Sequence, residues 1–418
     1  MRGSQPVKRH GTKSQEKAPG LAPLRRLRHR GRVAVPPSTV DGNRLTLLDT
    51  GRSRIEALIA LIDGAERSLR LLYYIYADDA TGRRVNAALI RAAQRGVAVA
   101  LIVDGFGAGL VADRAFFTPL EEAGVAMCWF SPRWGRSYLL RNHQKLALAD
   151  GETDAPRIII GGFNIEDDYL GKAPEPWKIW RDLGLLVEGP AAGRLTGYFD
   201  ALHAWSTTPK AKLRHLIRLL KRWSEQEGPA RWLIGGPTRR LSPWARRLRA
   251  DMTTARRIDI IAGYFAPSPT ILRRLDRASK RGAAVRVLTA SLSDHQGAVA
   301  AARFTYAGLL RKGTRVFEYS PSKLHTKLFV VDDTVHIGSA NFDMRSLFIN
   351  LELMLRIEDA DFASQMRAYV DGELARSEEI TRDVYRARTR WPQRVRQFVA
   401  YVLLAVVDPR VSRGLNLE

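Results

Sequence analysis

Short apolar runs and amphipathic stretches alternate along most of the chain, and the order of these pieces occurs twice. Residues 68–76, SLRLLYYIY, are apolar, aromatic-rich and short, which predicts a strand. Arg83–Gln94 has the spacing of an amphipathic helix and ends at Arg95-Gly96, where a helix-terminating glycine fits. VAVALIVDG at 97–105 follows as a strand apolar on both faces. The second half repeats the order, with RIDIIAGY at 257–264 as a strand, a helix over 269–280 ended by Arg281-Gly282, and AAVRVLTA at 283–290 as the next strand. GVAMCWFSP at 124–132 and GTRVFEYS at 313–320 are the next matching pieces. Strands alternating with helices that close on glycine predict parallel βαβ units, and two such halves predict a duplicated α/β protein.

Each half then carries the same polar signature. HQKLALAD at 143–150 and HTKLFVVD at 325–332 both place a histidine and a lysine two apart ahead of an apolar run and an aspartate. A short apolar strand with a small-residue turn follows each, RIIIGGFN at 157–164 and VHIGSAN at 335–341. The first copy is the longer, and ETDAP at 152–156 supplies the extra residues as a turn. On a strand, residues two apart point the same way, so each pair sets an imidazole beside an ammonium. An imidazole attacks phosphorus or moves protons near neutral pH, and an adjacent lysine stabilises charge on phosphoryl oxygens. Two such pairs facing one another equip a two-step displacement, in which one histidine attacks and the other protonates the departing alkoxide. Gly161, Gly162 and Gly338 let backbone approach a phosphate, and Asn164 and Asn341 can donate amide hydrogen bonds to it. Carboxylates are not packed at ligand spacing beside the histidines, so neither a metal nor another cofactor is expected. His203, His215, His295 and His336 read as surface or packing residues.

HxKxxxxD followed by G-[GS]-x-N, present twice and in register with a repeated fold, resembles the phospholipase D superfamily over about residues 42–375. GGFNIEDDYLG, WRDLGLLVEGPAA and YFDALHAW in the first half, with YFAPSP, LTASLSD, LHTKLFVVDDTVHIGSANFDMRS and NLELML in the second, are similar to its cardiolipin synthase branch, particularly the shorter members. The resemblance implies two phospholipase D-like domains, each a mostly parallel mixed sheet flanked by helices, related by a pseudo-twofold axis around one shared site. Its catalytic motifs fall on His143, Lys145 and Asp150 and on His325, Lys327 and Asp332, although the resemblance gives the two aspartates a bracing role. Lys145, Lys327, Asn164 and Asn341 would hold the phosphate. A downstream carboxylate would orient each histidine, and Asp182 and Glu352 occupy the matching places, with the pairing open. The implied reaction transfers a phosphatidyl group from one phosphatidylglycerol, through a phosphatidyl-histidine, to a second, giving cardiolipin and glycerol. His143 is the implied nucleophile and His325 the general acid and base. Asp294 in LSD is either part of an acceptor pocket or a loop cap. Phospholipid hydrolysis, nuclease action and a non-enzymatic membrane scaffold are the alternatives.

Composition adds the surroundings. The chain has 418 residues, a length for two or three domains, and its one cysteine, Cys128, excludes an intrachain disulfide framework. A formal net charge of +24 points to an anionic partner, nucleic acid or membrane. With the resemblance, the expectation is an anionic phospholipid surface with no nucleic acid, on the cytoplasmic face of a bacterial cell membrane. Oligomeric state stays open. The expected organisation is a basic tail over 1–41 and a first phospholipase D-like domain over 42–205. A basic amphipathic linker over 206–245, a second such domain over 246–376 and a basic, apolar membrane-associating segment over 377–418 follow. The tail is a solvated arm or a tether; the longer family members begin with two spanning helices, so attachment here is expected to be peripheral. AKLRHLIRLLKRW at 211–223 is a solvated linker helix or a membrane-docking one. FVAYVLLAVV at 398–407 is too short to span a bilayer and suits either an interface or a packed helix.

Overall fold

In a computed structural model, residues 35–131, 140–171, 175–238 and 241–407 are described. The basic stretch over 1–33 and the Asp408-Pro409-Arg410 stop lie outside the described residues. In the first half, β1 (Ser38–Val40), β2 (Asn43–Leu48), β3 (Ser68–Tyr73), β4 (Ala98–Asp104), β5 (Ala126–Phe130), β6 (Leu146–Ala149), β7 (Arg157–Gly161) and β8 (Gly184–Glu188) form one sheet. Its order is β1-β2-β8-β7-β6-β3-β4-β5. In the second half, β9 (Ala230–Gly235), β10 (Arg257–Ala262), β11 (Ala284–Ala290), β12 (Arg315–Tyr319), β13 (Lys327–Val331), β14 (Thr334–Gly338), β15 (Glu352–Glu358) and β16 (Ser377–Ile380) form another. That order is β9-β15-β14-β13-β10-β11-β12-β16, the same path with the extra strand at the opposite edge. The strands joined through helices, β3-β4-β5 and β10-β11-β12, are parallel, and the strands after each His-Lys pair add antiparallel. The duplicated α/β architecture is therefore present as the repeat predicts.

Alternation along the central strands sorts side chains between cores. Leu146 and Leu148 of β6 and Leu328 and Val330 of β13 enter one apolar core shared by both halves. Ala147 and Ala149 face the outer core of the first half, and Phe329 and Val331 that of the second. Each sheet is thus covered on both faces, which explains why its strands read as continuous apolar runs. The first outer core is closed by α1 (Gly51–Asp63), capped by Thr50, and α2 (Ala80–Gln94), capped by Asp79.

The expected boundaries move in three places. β1 lies before residue 42 and pairs antiparallel with β2 through a two-residue turn, Asp41-Gly42, both at positive φ. That Asp-Gly pair was the available signal. The stretch read as a linker over 206–245 includes β9, which pairs along its whole length with β15. Its helix, α3 (Leu213–Trp223), buries Leu216 and Leu220 in the shared core, so the apolar face that membrane docking would need is already covered. Finally, β16 pairs with β12, so residues 377–380 belong to the second sheet rather than to a separate terminal segment.

Candidate active site

The His-Lys pairs lie at the starts of β6 and β13, the first just before its strand and the second with Lys327 as its first residue, and each sits where its chain crosses to the other half. His143 N–H donates to Leu351 O at 2.9 Å, and Leu351 N–H returns a bond to Arg141 O at 3.0 Å. The second seam mirrors it: His325 N–H donates to Arg181 O at 2.8 Å, and Lys323-Leu324 pairs in parallel with Trp180-Arg181. Arg181 is itself fixed by a bidentate ion pair to buried Glu373. On the other side, Asp104 accepts from the backbone N–H of Asn142 at 2.7 Å and of Phe106 and Gly107.

These seams exchange carboxylates between the halves. Glu352 of the second half meets His143 Nδ1 at 3.1 Å, and Asp182 of the first meets His325 Nδ1 at 2.6 Å. The sequence leaves this pairing open because both carboxylates stand at equivalent repeat positions. A carboxylate on Nδ1 keeps the proton there and turns the Nε2 lone pair outward. The two dyads differ in their support. Glu352 also accepts from Ser339 Oγ at 2.5 Å and Ser346 Oγ at 2.8 Å. Asp182 accepts from the N–H of Leu183 at 2.7 Å, and the place of Ser339 is taken by Gly162. A Cβ on Gly162 would stand 2.6 Å from Asp182 Oδ1 and 2.9 Å from Lys327 Cδ, so this glycine is required by close approach.

Lys145 and Lys327 are 1% exposed, and each ammonium donates to the carbonyl of its own histidine, Lys145 to His143 O at 2.8 Å and Lys327 to His325 O. Burial pulls the lysines down, Lys145 to about 7 and Lys327 to about 8, against the attraction of Glu352 and Asp182. Burial also lowers His143 to about 4, and burial with Lys327 lowers His325 to about 3. Burial works to raise Asp182, but His325, Lys327 and Arg54 outweigh it and hold the carboxyl below its ordinary value. Each lysine also depresses the histidine of the other half, which places both pairs in one electrostatic site. The arrangement brings two neutral imidazoles and two buried lysines within electrostatic reach of one another, a combination suited to an anion.

Of the other expected site residues, Asn164 and Asn341 are buried, at 1% and 5% exposure. Asn164 Oδ1 accepts from Ile75 N–H at 3.2 Å, leaving its NH2 as the donor end, and Asn341 Oδ1 has no partner among the described residues. Asp150 and Asp332 are not in the site. They lie beyond the far ends of β6 and β13 at φ of 53° and 46°. Asp150 accepts from the N–H groups of Glu66, Arg67 and Ser68, and Asp332 from those of Arg256 and Arg257. Grouping them with the catalytic residues is therefore corrected: each ties the end of its strand to the start of the neighbouring antiparallel strand, β3 or β10, as a bracing role requires. Tyr74 packs on His143 at 5.1 Å between ring centroids, while Tyr169 and Trp180 pack on His325 at 5.1 and 5.2 Å. These last two and Ser339 were missed in the sequence, although Trp180 stands two residues before Asp182 and Ser339 lies inside the small-residue turn. Asp294 accepts from Tyr264 Oη at 2.6 Å, and that tyrosine's ring lies 6.2 Å from His325. His336 is buried against Asp251 at 2.9 Å and His295 caps a helix, so both serve structure.

The family profile described as "Cardiolipin synthase, PLD-like domain" matches residues 58–201 and 249–373. The first segment holds His143 and Asp182, and the second His325 and Glu352. The chain is 31% identical to cardiolipin synthase A of Pseudomonas aeruginosa over 375 residues, covering 87% of this chain and 74% of that protein. It is 29% identical to cardiolipin synthase 1 of Bacillus anthracis over 364 residues, 84% of this chain and 70% of that one. Among solved structures, phosphatidylserine synthase of Haemophilus influenzae shares the fold, with a TM-score of 0.68 over 88% of this chain and 95% of that one at 14% identity. With the duplicated sheets, the crossed dyads and these matches together, the chain belongs to the cardiolipin synthase family of phospholipase D-like proteins.

Proposed function

We propose that this protein is a phosphatidyltransferase that makes cardiolipin from two phosphatidylglycerols at a membrane surface. The observation that carries the reading is the crossed pair of histidine–carboxylate dyads, each flanked by a buried lysine, in one site. In this scheme Lys145, Lys327, Asn164 and Asn341 hold the phosphodiester, whose charge offsets the repulsion between the two ammoniums. His143 Nε2 attacks phosphorus, and the bond to the glycerol oxygen breaks. That oxygen takes a proton from His325, which the bound anion favours in its charged form, and glycerol leaves. Neutral His325 then accepts the proton of a hydroxyl on the second phosphatidylglycerol, the oxygen attacks phosphorus, and the P–N bond breaks to restore His143. Glu352 and Asp182 keep the two Nδ1 protons in place while each ring carries charge. The family match and the basic surface both favour a lipid substrate, and among the described residues no helix is long and apolar enough to cross a membrane.

Purified protein with phosphatidylglycerol vesicles should yield cardiolipin and free glycerol in equal amounts. Phosphatidic acid with glycerol and no cardiolipin would make it a hydrolase, and inactivity on lipid with cleavage of DNA would replace the reading altogether.

The lysines set a pH dependence whose sign is fixed. Lys145 and Lys327 bind the anion as cations, and in the free protein they lose that charge as pH rises through about 7 and about 8. His143 attacks as the neutral ring, which it is above about 4. The profile of kcat/KM should therefore fall as pH rises above about 4, where the charged form of His325 grows scarce in the free protein, and more steeply above about 7 and about 8, where the lysines lose their charge. The fall in kcat should come at higher pH, because bound phosphate holds protons on the lysines. A kcat/KM that climbs from pH 7 to 9 would contradict the assignment.

A further inference from the structure

Away from the dyads, three helices enclose a groove of unusual composition. They are α4 (Gln296–Arg311), α5 (Arg382–Arg388) and α6 (Trp391–Val402). The groove has a volume of about 330 Å³, with Phe304, Leu310 and Tyr385 as apolar lining. Arg311, Arg382, Arg386 and Arg394 stand around it. Arg382 spends its donors on the carbonyls of Leu310 and Arg311, which leaves its charge uncompensated. The carboxylate paired with this group of arginines among the described residues is Asp383, 3.7 Å from Arg386 and almost fully exposed, where an ion pair counts for little. Gln397 also lines the groove, is 5% exposed, and has an amide oxygen without a partner among the described residues.

α6 and the helical turn that continues it from Leu403 carry an uncovered apolar stripe. Trp391, Val395, Phe398, Val399 and Leu403 are exposed by 44% to 77%. At about 100° per residue they fall within an arc of roughly 140°. Gln397 and Tyr401, on the opposite side, are the buried anchors, and Tyr401 Oη donates to Pro267 O at 2.9 Å. Pro267 is three residues from Tyr264, whose ring lies 6.2 Å from that of His325, so the anchor of this helix stands on the segment that reaches the second dyad. The packing reading of this segment fits one face of the helix, and the opposite face is open to an interface. A tryptophan-edged apolar stripe beside a cationic groove complements one surface in both charge and polarity, the headgroup layer of an anionic bilayer.

The geometry points to a second, non-catalytic phospholipid site, in which the arginine groove holds the phosphate of an anionic lipid while the stripe on α6 enters the acyl boundary beside it. This deepens the lipid reading above, and its readout is binding without turnover, so it can fail while that reading stands. The test is sedimentation of the full chain with phosphatidylcholine vesicles carrying phosphatidylglycerol, against vesicles of phosphatidylcholine alone. Replacing Arg311, Arg386 and Arg394 together with Gln should weaken binding to the anionic vesicles by roughly 100-fold, about fivefold for each cation. The same charge removed from the exposed face of α3, by Arg214→Gln, Arg218→Gln and Arg222→Gln, should cost less than about threefold if the groove is a site. Trp391→Ser with Val399→Ser should weaken binding to both kinds of vesicle. All are exposed positions, and unchanged melting temperatures would certify the folds. Equal losses in the two arginine triples would reduce the effect to diffuse attraction and overturn the site, as would no loss from the groove triple. A stripe variant that changes the oligomeric state instead would assign that face to a second copy of the chain.

Discussion

His325→Ala should leave a protein that loads its nucleophile and cannot complete a turnover. With phosphatidylglycerol, the rate should fall by about 10⁴-fold or more, since one histidine supplies both the proton for the leaving glycerol and the base for the acceptor. A phosphodiester with an aryl leaving group needs no proton on departure. With that substrate the variant should release one aryl group per protein and stop, with the phosphoryl group on His143. His143→Ala should show neither turnover nor burst, because no Nε2 remains to attack. Mass spectrometry of peptides from the stalled protein reads the adduct directly. An adduct on His325 in the His143 variant would reverse the roles, and near-normal turnover in either variant would remove the two-histidine scheme.

Glu352→Gln should be nearly as damaging, although it changes one atom. Expected is a fall in kcat of about 10³–10⁴-fold with KM little altered, the size seen when a dyad loses its carboxylate. Two causes act together. A carboxamide can present its NH2 to His143 Nδ1, which moves the ring proton to Nε2 and blocks attack. It also removes the negative charge that opposes the burial of Lys145, so more of that lysine is neutral at pH 7. Ser339 and Ser346 can bond to either group, so the fold should persist with a small change in melting temperature. Asp182→Asn should lower kcat comparably through His325, whose contact is the shorter of the two at 2.6 Å. Steady-state kinetics with thermal melts separate these outcomes, and loss of the fold without loss of kcat per folded molecule would make the carboxylates structural.

Much of this site was legible in the repeat. The His-Lys spacing, the small-residue turns and the order of strands recur at matching positions, and each has a physical reason to recur. What could not be read was the crossing. Asp182 and Glu352 follow similar strand patterns, and nothing local says that each serves the other half, because that depends on two seams made of backbone bonds between distant segments. The edges of the fold were also poorly marked. β9 reads as part of a polar linker because its strength comes from its pairing with β15 and from Trp232 in the shared core. The aspartates closing each motif misled for the opposite reason. Their fixed spacing from the histidines looks chemical, yet it measures the length of a strand, with the chemistry at one end and a backbone clamp at the other.

The exchange of carboxylates has a consequence for what a duplicated gene gains by staying in one piece. Two copies of the first half, associated symmetrically, would face each histidine with an aspartate, and two copies of the second with a glutamate. Either assembly would be made of twins, with no built-in rule for which ring acts first. Joining one of each makes the partners unlike, one acid held by two serine hydroxyls and the other pressed against a glycine. Covalent linkage thereby keeps the two hands of the site distinguishable.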